Sequence, residues 1–199
     1  MKKYFVLLLI IIMIGVIVTT ASASPICTNI PSGYDVFELD GQYAQGMYDF
    51  NPLLAVCLND KLALGMMYDT YFKYYAVMGR YAPVKNIAAD LYYRLDGSNS
   101  WMADLRGKYY FNQSFDLAGK LYYDSSNTSN LQLLGQAEYM FNEQWVGNAG
   151  LFNSNHTTFL VLGAAFEKGA IAVGIDGVFP TTNFSNPMIE VAFDYLIKK

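Results

Sequence analysis

The alternation of apolar and charged residues is clearest in residues 101–111, which read WMADLRGKYYF. Every odd position there is apolar or glycine, whereas Asp104, Arg106 and Lys108 occupy even positions. The same pattern continues in residues 114–123, SFDLAGKLYY, and in residues 131–141, LQLLGQAEYMF. A period of two over about ten residues indicates a β-strand with one apolar and one polar face.

The aromatic residues of these segments lie mainly at the segment ends, with small and aliphatic residues between them. They are Trp101, Tyr109, Phe111, Phe115, Tyr123, Tyr139 and Phe141. Tilted strands of ~9–11 residues cross the hydrocarbon layer, and aromatic rings favour its two boundaries with water. In this pattern the chain resembles the porin-like outer-membrane β-barrel proteins of Gram-negative bacteria, without matching one specific family. The resemblance implies an even number of antiparallel strands closed into a barrel.

Twelve segments along the chain show alternation between turn residues. They are residues 34–44, 53–58, 61–69, 73–81, 87–95, 101–111, 114–123, 131–141, 145–152, 157–166, 170–179 and 188–197. We therefore predict an all-β, antiparallel up-and-down transmembrane β-barrel of about 12 strands. About 10 or 14 strands remain as alternatives, because the third segment reverses its parity and the second and tenth are apolar on both faces.

The connections between these segments alternate in length. The mostly short ones are residues 59–60, 82–86, 112–113, 142–144 and 167–169. The mostly longer ones, rich in turn-forming residues, are residues 45–52, 96–100, 124–130, 153–156 and 180–187. Outer-membrane barrels have short periplasmic turns and longer extracellular loops, so the two sets predict the two ends of the barrel.

The N-terminus has the parts of a secretory signal, since Lys2 and Lys3 precede an apolar run over residues 4–18 and small residues up to Ala23. The apolar run is shorter than the ~20 residues that a membrane-spanning helix needs. We predict a signal peptide at residues 1–23, a periplasmic segment at 24–33 and a β-barrel domain at 34–199.

The two cysteines, Cys27 and Cys57, both fall at the periplasmic end in this scheme. The periplasm can oxidise thiols, so a Cys27–Cys57 disulfide is one expectation. Two unpaired thiols are the other, because the sequence does not show whether their Cα atoms approach closely enough.

Charged residues follow strand parity from Ile87 onward, where no odd position of a predicted segment is charged. A charge on the lipid face at the membrane midplane costs ~2–4 kcal/mol for Arg or Lys, so the charged positions should face the lumen. The predicted pore-lining residues are Glu38, Asp40, Arg80, Asp90, Arg94, Asp104, Arg106, Lys108, Asp116, Lys120, Glu138, Asp176, Glu190 and Asp194. They either line water or pair into a plug, because an unpaired buried charge is too costly.

Apolar residues at even positions predict that part of the lumen is narrow. They are Met102, Leu134, Met140, Leu160, Leu162 and Phe166.

Catalytic and metal-binding patterns are weak in this sequence. Its one histidine, His156, lies two residues after Ser154 in a predicted loop, and neighbours in sequence make a poor catalytic triad. No His, Cys, Asp or Glu cluster has metal-ligand spacing, and no glycine loop has the pattern of a phosphate site. We expect no enzymatic activity, no metal and no cofactor.

The net charge of −4 argues against a nucleic-acid partner, which requires a basic surface. The expected partners are outer-membrane lipid, small polar solutes and the outer-membrane assembly machinery, although Lys198 and Lys199 replace the aromatic residue that ends many such barrels.

The sequence favours a narrow passive channel for small polar solutes in the outer membrane. The excess of acids over bases among the pore-lining residues predicts a weak preference for cations. A non-conducting structural or adhesive outer-membrane barrel is the first alternative. A soluble β-barrel that binds a ligand inside, with its apolar face turned inward, is the second.

Overall fold

The computed structural model describes residues 34–126, 131–154, 157–184 and 187–198. Its regular elements are strands, β1 to β12 in chain order. They are β1 Tyr34–Ala44, β2 Met47–Asn59, β3 Leu62–Asp69, β4 Tyr74–Val84, β5 Ile87–Arg94, β6 Trp101–Tyr110, β7 Phe115–Asp124, β8 Leu131–Met140, β9 Trp145–Ser154, β10 Thr157–Lys168, β11 Ile171–Pro180 and β12 Met188–Lys198. The prediction of twelve strands is confirmed. Within these described residues, no helix is long and apolar enough to cross a membrane.

The strands form one closed antiparallel barrel, because each pairs with its neighbours in sequence and β1 pairs with β12. The closing register runs from Tyr34 opposite Lys198 to Tyr43 opposite Ile189. Closure leaves no unpaired strand edge, which is the condition for crossing a bilayer with strands. Tyr34 and Lys198 lie at the same end of the barrel, which we call the terminal end. The other end is the loop end.

The outward face is apolar and carries aromatic pairs near both ends. At the loop end, the rings of Tyr43–Tyr48, Tyr68–Tyr75 and Trp101–Tyr123 lie 4.6–4.9 Å apart. At the terminal end, Tyr139 pairs with Phe141 and Trp145 with Phe166. Between them, aliphatic side chains such as Leu91 and Leu105 are 55% and 41% exposed. This is the outer surface of a transmembrane barrel.

The inward positions are even in most strands but odd in β2, β3 and β10. Pairing of residues three apart, as in Ser154 with Thr157 and Lys168 with Ile171, switches parity. In β10, Val161 points inward and is 3% exposed. The prediction that Leu160, Leu162 and Phe166 narrow the lumen is wrong, because all three lie on the outward face.

Strand β2 begins at Met47, so the predicted loop at residues 45–52 is also wrong. The turn consists of Gln45 and Gly46, whose φ angles of 51° and 84° are those of a tight hairpin turn that needs two positive φ values. Asp49 and Asn51 look like loop residues in the sequence, but in β2 they occupy inward positions opposite Gln42 and Asp40. The other eleven predicted segments differ from the strands by at most three residues at either end.

An apolar cluster fills the lumen beside β2 to β6. Its large members include Leu53, Tyr74, Met78, Tyr92 and Met102, all at most 9% exposed. The prediction that Met102 narrows the lumen agrees with this packing. Val36 on β1 belongs to the cluster and Leu196 on β12 packs against it, whereas Asp40, Asp176 and Glu190 place polar groups on the inner face of β1, β11 and β12.

Candidate functional site: the barrel lumen

All fourteen residues predicted to line the pore occupy inward positions in the strand registers. Six form a first ionic network: Glu38, Arg80, Asp90, Asp104, Arg106 and Lys120. Lys108, Asp116, Glu138 and Asp176 lie in a second polar group. Asp40, Glu190 and Asp194 lie on the more open wall, and Arg94 lies at the loop end. These residues therefore lie inside the barrel.

The first network is centred on Asp90, which accepts hydrogen bonds from two arginines. Arg80 binds it through both Nε and Nη2, at 2.8 and 2.9 Å, in the fork geometry that suits a carboxylate. Arg106 donates to the same carboxylate from Nη2 and to Asp104 from Nε at 3.0 Å. Lys120 completes the series, with its Nζ 3.6 Å from Asp104.

The second polar group contains a buried ion pair between a side chain of β6 and one of β8. The Lys108 Nζ lies 3.0 Å from Oε2 of Glu138, and the Gln136 amide donates to Oε1 of the same carboxylate at 2.7 Å. Asp116 pairs with Glu138 across β7 and β8, and its buried Oδ1 has no hydrogen-bond partner among the described residues. The group therefore holds three acids, Asp116, Glu138 and Asp176, against one base, Lys108.

Gly163 makes room for the hydrogen bond between Asn148 and Asp176. The Asn148 amide donates to Asp176 Oδ1 at 2.9 Å, and Gly163 lies opposite both residues in the sheet. A methyl group at position 163 would lie 2.6 Å from the Asn148 Oδ1 and would also overlap the Asp176 carboxylate. Glycine is required here by the close approach of these two side chains.

The wall formed by β1, β11 and β12 is the most accessible part of the lumen. Asp40 and Gln42 point inward, opposite Ala192 and Glu190, yet both are exposed. Exposure at an inward position means contact with water inside the barrel. Gln42 donates a 3.3 Å hydrogen bond to Glu190, and Glu190 lies opposite Asp176. The accessible surface is therefore rich in carboxylates.

Arg94 lies on the loop-end rim and is held by two contacts. Its guanidinium lies 3.8 Å from the centre of the Tyr74 ring, and its Nη2 is 2.6 Å from Oδ2 of Asp96. The Ser98 hydroxyl and backbone N–H donate to Asp96, and together with Arg94 they lower the pKa of this carboxyl to about 2. Asp96 therefore remains negatively charged over the physiological pH range.

Five inward charged residues at the ends of strands were not predicted from the sequence. They are Asp49, Asp69, Asp124, Glu167 and Lys198. Four of them, Asp49, Asp124, Glu167 and Lys198, lay outside the predicted segments, and Asp69 lay in the parity-reversed third segment. Asp124 lay in a predicted loop, and its pairing opposite Met102 shows that β7 extends to it.

Cys57 points into the lumen near the terminal end, is 6% exposed, and donates a hydrogen bond from Sγ to the backbone oxygen of Asn59 at 2.9 Å. Cys27, the other half of the predicted disulfide, lies outside the described residues, as do the signal segment and His156. In the part of the chain that the structure describes, no group of three His, Cys, Asp or Glu side chains is arranged to hold a metal ion.

Comparisons with known proteins identify the fold. No protein-family model and no curated protein matches the sequence. Among solved structures, the KdgM porin superposes with a TM-score of 0.58 at 10% identity, covering 80% of this chain and 98% of that chain. The KdgM porin in complex with disordered oligogalacturonate gives 0.58 at 11% identity and the same coverage. The NanC porin gives 0.51 at 10% identity, covering 82% of this chain and 99% of that one.

This chain has the porin fold. The likeness extends over almost the whole of each neighbour, and it agrees with the closed twelve-strand topology and the aromatic-flanked apolar band. The predicted fold class, a transmembrane β-barrel of the porin-like kind, is thereby confirmed.

Proposed function

We propose that this protein is a narrow passive channel for small polar solutes in the outer membrane of a Gram-negative-type bacterium, with its terminal end in the periplasm. The observation that carries the proposal is the exposure of Asp40 and Gln42 at inward positions, because it requires water beside β1 inside a closed barrel. The porin fold supports the location, since the solved neighbours are porins.

The solutes that this lumen suits best are neutral or positively charged. The KdgM porin has been solved with oligogalacturonate, a polyanion. In the present lumen, by contrast, most basic side chains are already paired. The strands from Arg80 to Lys120 carry five basic residues, and four of these lie within 3.6 Å of a carboxylate of the two ionic groups. The accessible wall carries Asp40, Glu190 and Asp194, and carboxylates along a pore favour cations.

A non-conducting barrel is the second candidate, because both ionic groups are paired and largely buried. The two candidates differ in one measurement, which is the current through purified protein in a planar bilayer. The channel predicts discrete single-channel steps and a reversal potential that favours the cation in a salt gradient. Absence of steps from correctly folded protein supports the structural barrel.

Removing charges from the accessible wall also tests the ion selectivity of the channel. Replacing Asp40 with Asn and Glu190 with Gln removes two accessible carboxylates without changing their size, so the cation preference should fall. Glu143→Gln, in the exposed turn between β8 and β9, is the matched control and should leave it unchanged. An unchanged reversal potential in the double variant would refute the role of the carboxylate wall.

The barrel's location is tested separately. We expect a protein that requires detergent for extraction and migrates differently on gels before and after boiling, because closed transmembrane barrels resist unfolding. Recovery of a soluble monomer without detergent would favour the ligand-binding barrel. We propose no catalytic activity, no cofactor and no nucleic-acid partner.

A further inference from the structure

The ion pair between Glu38 and Arg80 joins two strands that are not neighbours. Glu38 lies on β1 and Arg80 on β4, with β2 and β3 between them. The Arg80 Nη1 nevertheless donates to Oε1 of Glu38 at 3.0 Å. The two side chains therefore span the interior as a chord, instead of following the wall as cross-strand pairs do.

Small residues on the two intervening strands allow this chord to form. Ala55 and Ala63 occupy inward positions of β2 and β3 and are 0% and 4% exposed. Ala63 lies directly opposite Arg80 in the sheet. A larger side chain at either alanine would fill the space over which the ion pair passes.

Arg80 is the fixed end of the chord. Its Nε and Nη2 hold Asp90 at 2.8 and 2.9 Å, and its side chain is only 2% exposed. A guanidinium held by a fork of two hydrogen bonds keeps one orientation. Glu38, whose side chain is 13% exposed, lies where the buried network meets the accessible wall.

Resting on the channel function proposed above, we propose that the Glu38–Arg80 ion pair sets the width of the constriction. The chord borders the part of the lumen next to β2 and β3 that the apolar cluster fills, and its Glu38 end narrows the passage that remains. It confines solutes to the remaining passage, whose walls carry Asp40 and Asp194 on one side and the partly exposed Lys120 on the other.

The test compares single-channel conductance of Glu38→Ala, Glu38→Gln and Gln113→Ala with that of the wild-type protein, after heat-dependent gel migration has shown that each is folded. Glu38→Ala removes the end of the chord that meets the passage and should raise the conductance. Glu38→Gln keeps its length and a hydrogen-bond acceptor, so its conductance should stay near the wild-type value. Gln113→Ala removes a side chain of similar size from the exposed turn between β6 and β7, outside the lumen, and should also stay near it.

The possible results distinguish the proposed role of the ion pair from the proposed channel function. A conducting wild-type protein with unchanged Glu38→Ala conductance refutes the chord and leaves the channel in place. An equal rise in Gln113→Ala also refutes the chord. A silent wild-type protein with a conducting Glu38→Ala variant supports the chord and refutes the open channel. If neither conducts, both are refuted.

Discussion

The ammonium group of Lys108 on β6 lies 3.0 Å from the carboxylate of Glu138 on β8, and both side chains are at most 2% exposed. The contact crosses β7, whose inward Ala118 lies opposite Lys108 and is small and buried. Ion pairs therefore connect strands that are not neighbours by passing over small inward residues, in this group as in the Glu38–Arg80 chord.

Truncating one member of this pair should destabilise the barrel. Glu138→Ala leaves the Lys108 charge buried without its carboxylate, and such a loss costs ~3–5 kcal/mol. We expect a lower temperature of the folded-to-unfolded gel transition. Replacing both residues, as Lys108→Met with Glu138→Leu, should recover part of the loss, because the Lys108 charge is removed together with its carboxylate, while Asp116 remains in the group without a base. A Glu138→Ala variant as stable as the exposed-turn control Glu143→Ala would contradict this account.

Adjacent residues on β12 should respond in opposite ways to the same substitution. Val191 faces outward and is 42% exposed, whereas Ala192 faces inward opposite Asp40. Val191→Arg places a charge against lipid and should reduce folding stability by up to ~2–4 kcal/mol, depending on depth. Ala192→Arg places the guanidinium beside a carboxylate in the wet lumen and should cost much less. Denaturant titration in lipid vesicles measures the difference, and equal losses at both sites would show that the facing assignment is wrong.

The Cys27–Cys57 disulfide remains a prediction. Because Cys57 points into the lumen near the terminal end, the bond requires Cys27 to reach the mouth of the barrel there. Closing a loop of about thirty residues constrains the unfolded chain by ~3–4 kcal/mol in the entropy model. Thiol labelling of the unreduced, denatured protein decides between the outcomes. No reactive thiol is expected if the bond forms, and two labelled thiols would exclude it.

Much of the fold could be predicted because lipid imposes a strict rule on one face. Placing a charge such as that of Arg106 against hydrocarbon costs free energy, so its even position shows which residues of the strand face the lumen and which face lipid. The rule gives no information for the central part of β10, because Val161, Leu162 and Ala164 leave both of its faces uncharged. Its reversed parity follows from the pairing of residues three apart at both ends, Ser154 with Thr157 and Lys168 with Ile171, which was not evident from the sequence.

The inward location of the charges could also be predicted, but their partners could not. Alternation places Arg80 and Glu38 inside the barrel without saying how far apart they lie. Their contact depends on barrel curvature and on the stagger of four strands, neither of which is written in the pattern of a single strand. The same holds for the Lys108–Glu138 pair. The start of β2 was missed because lumen-facing Asp49 and Asn51 resemble loop residues.

Passage of ions along β1 is tested most directly by chemical modification of Asp40→Cys in a background with Cys27→Ser and Cys57→Ser. A positively charged methanethiosulfonate reagent, added during single-channel recording, should attach inside the lumen, reduce the conductance stepwise and lower the cation preference. Tyr43→Cys, on the outward face of the same strand, and the cysteine-free background should not respond. Unaltered current through Asp40→Cys channels, whose labelling has been verified by mass spectrometry, would contradict transport through this lumen.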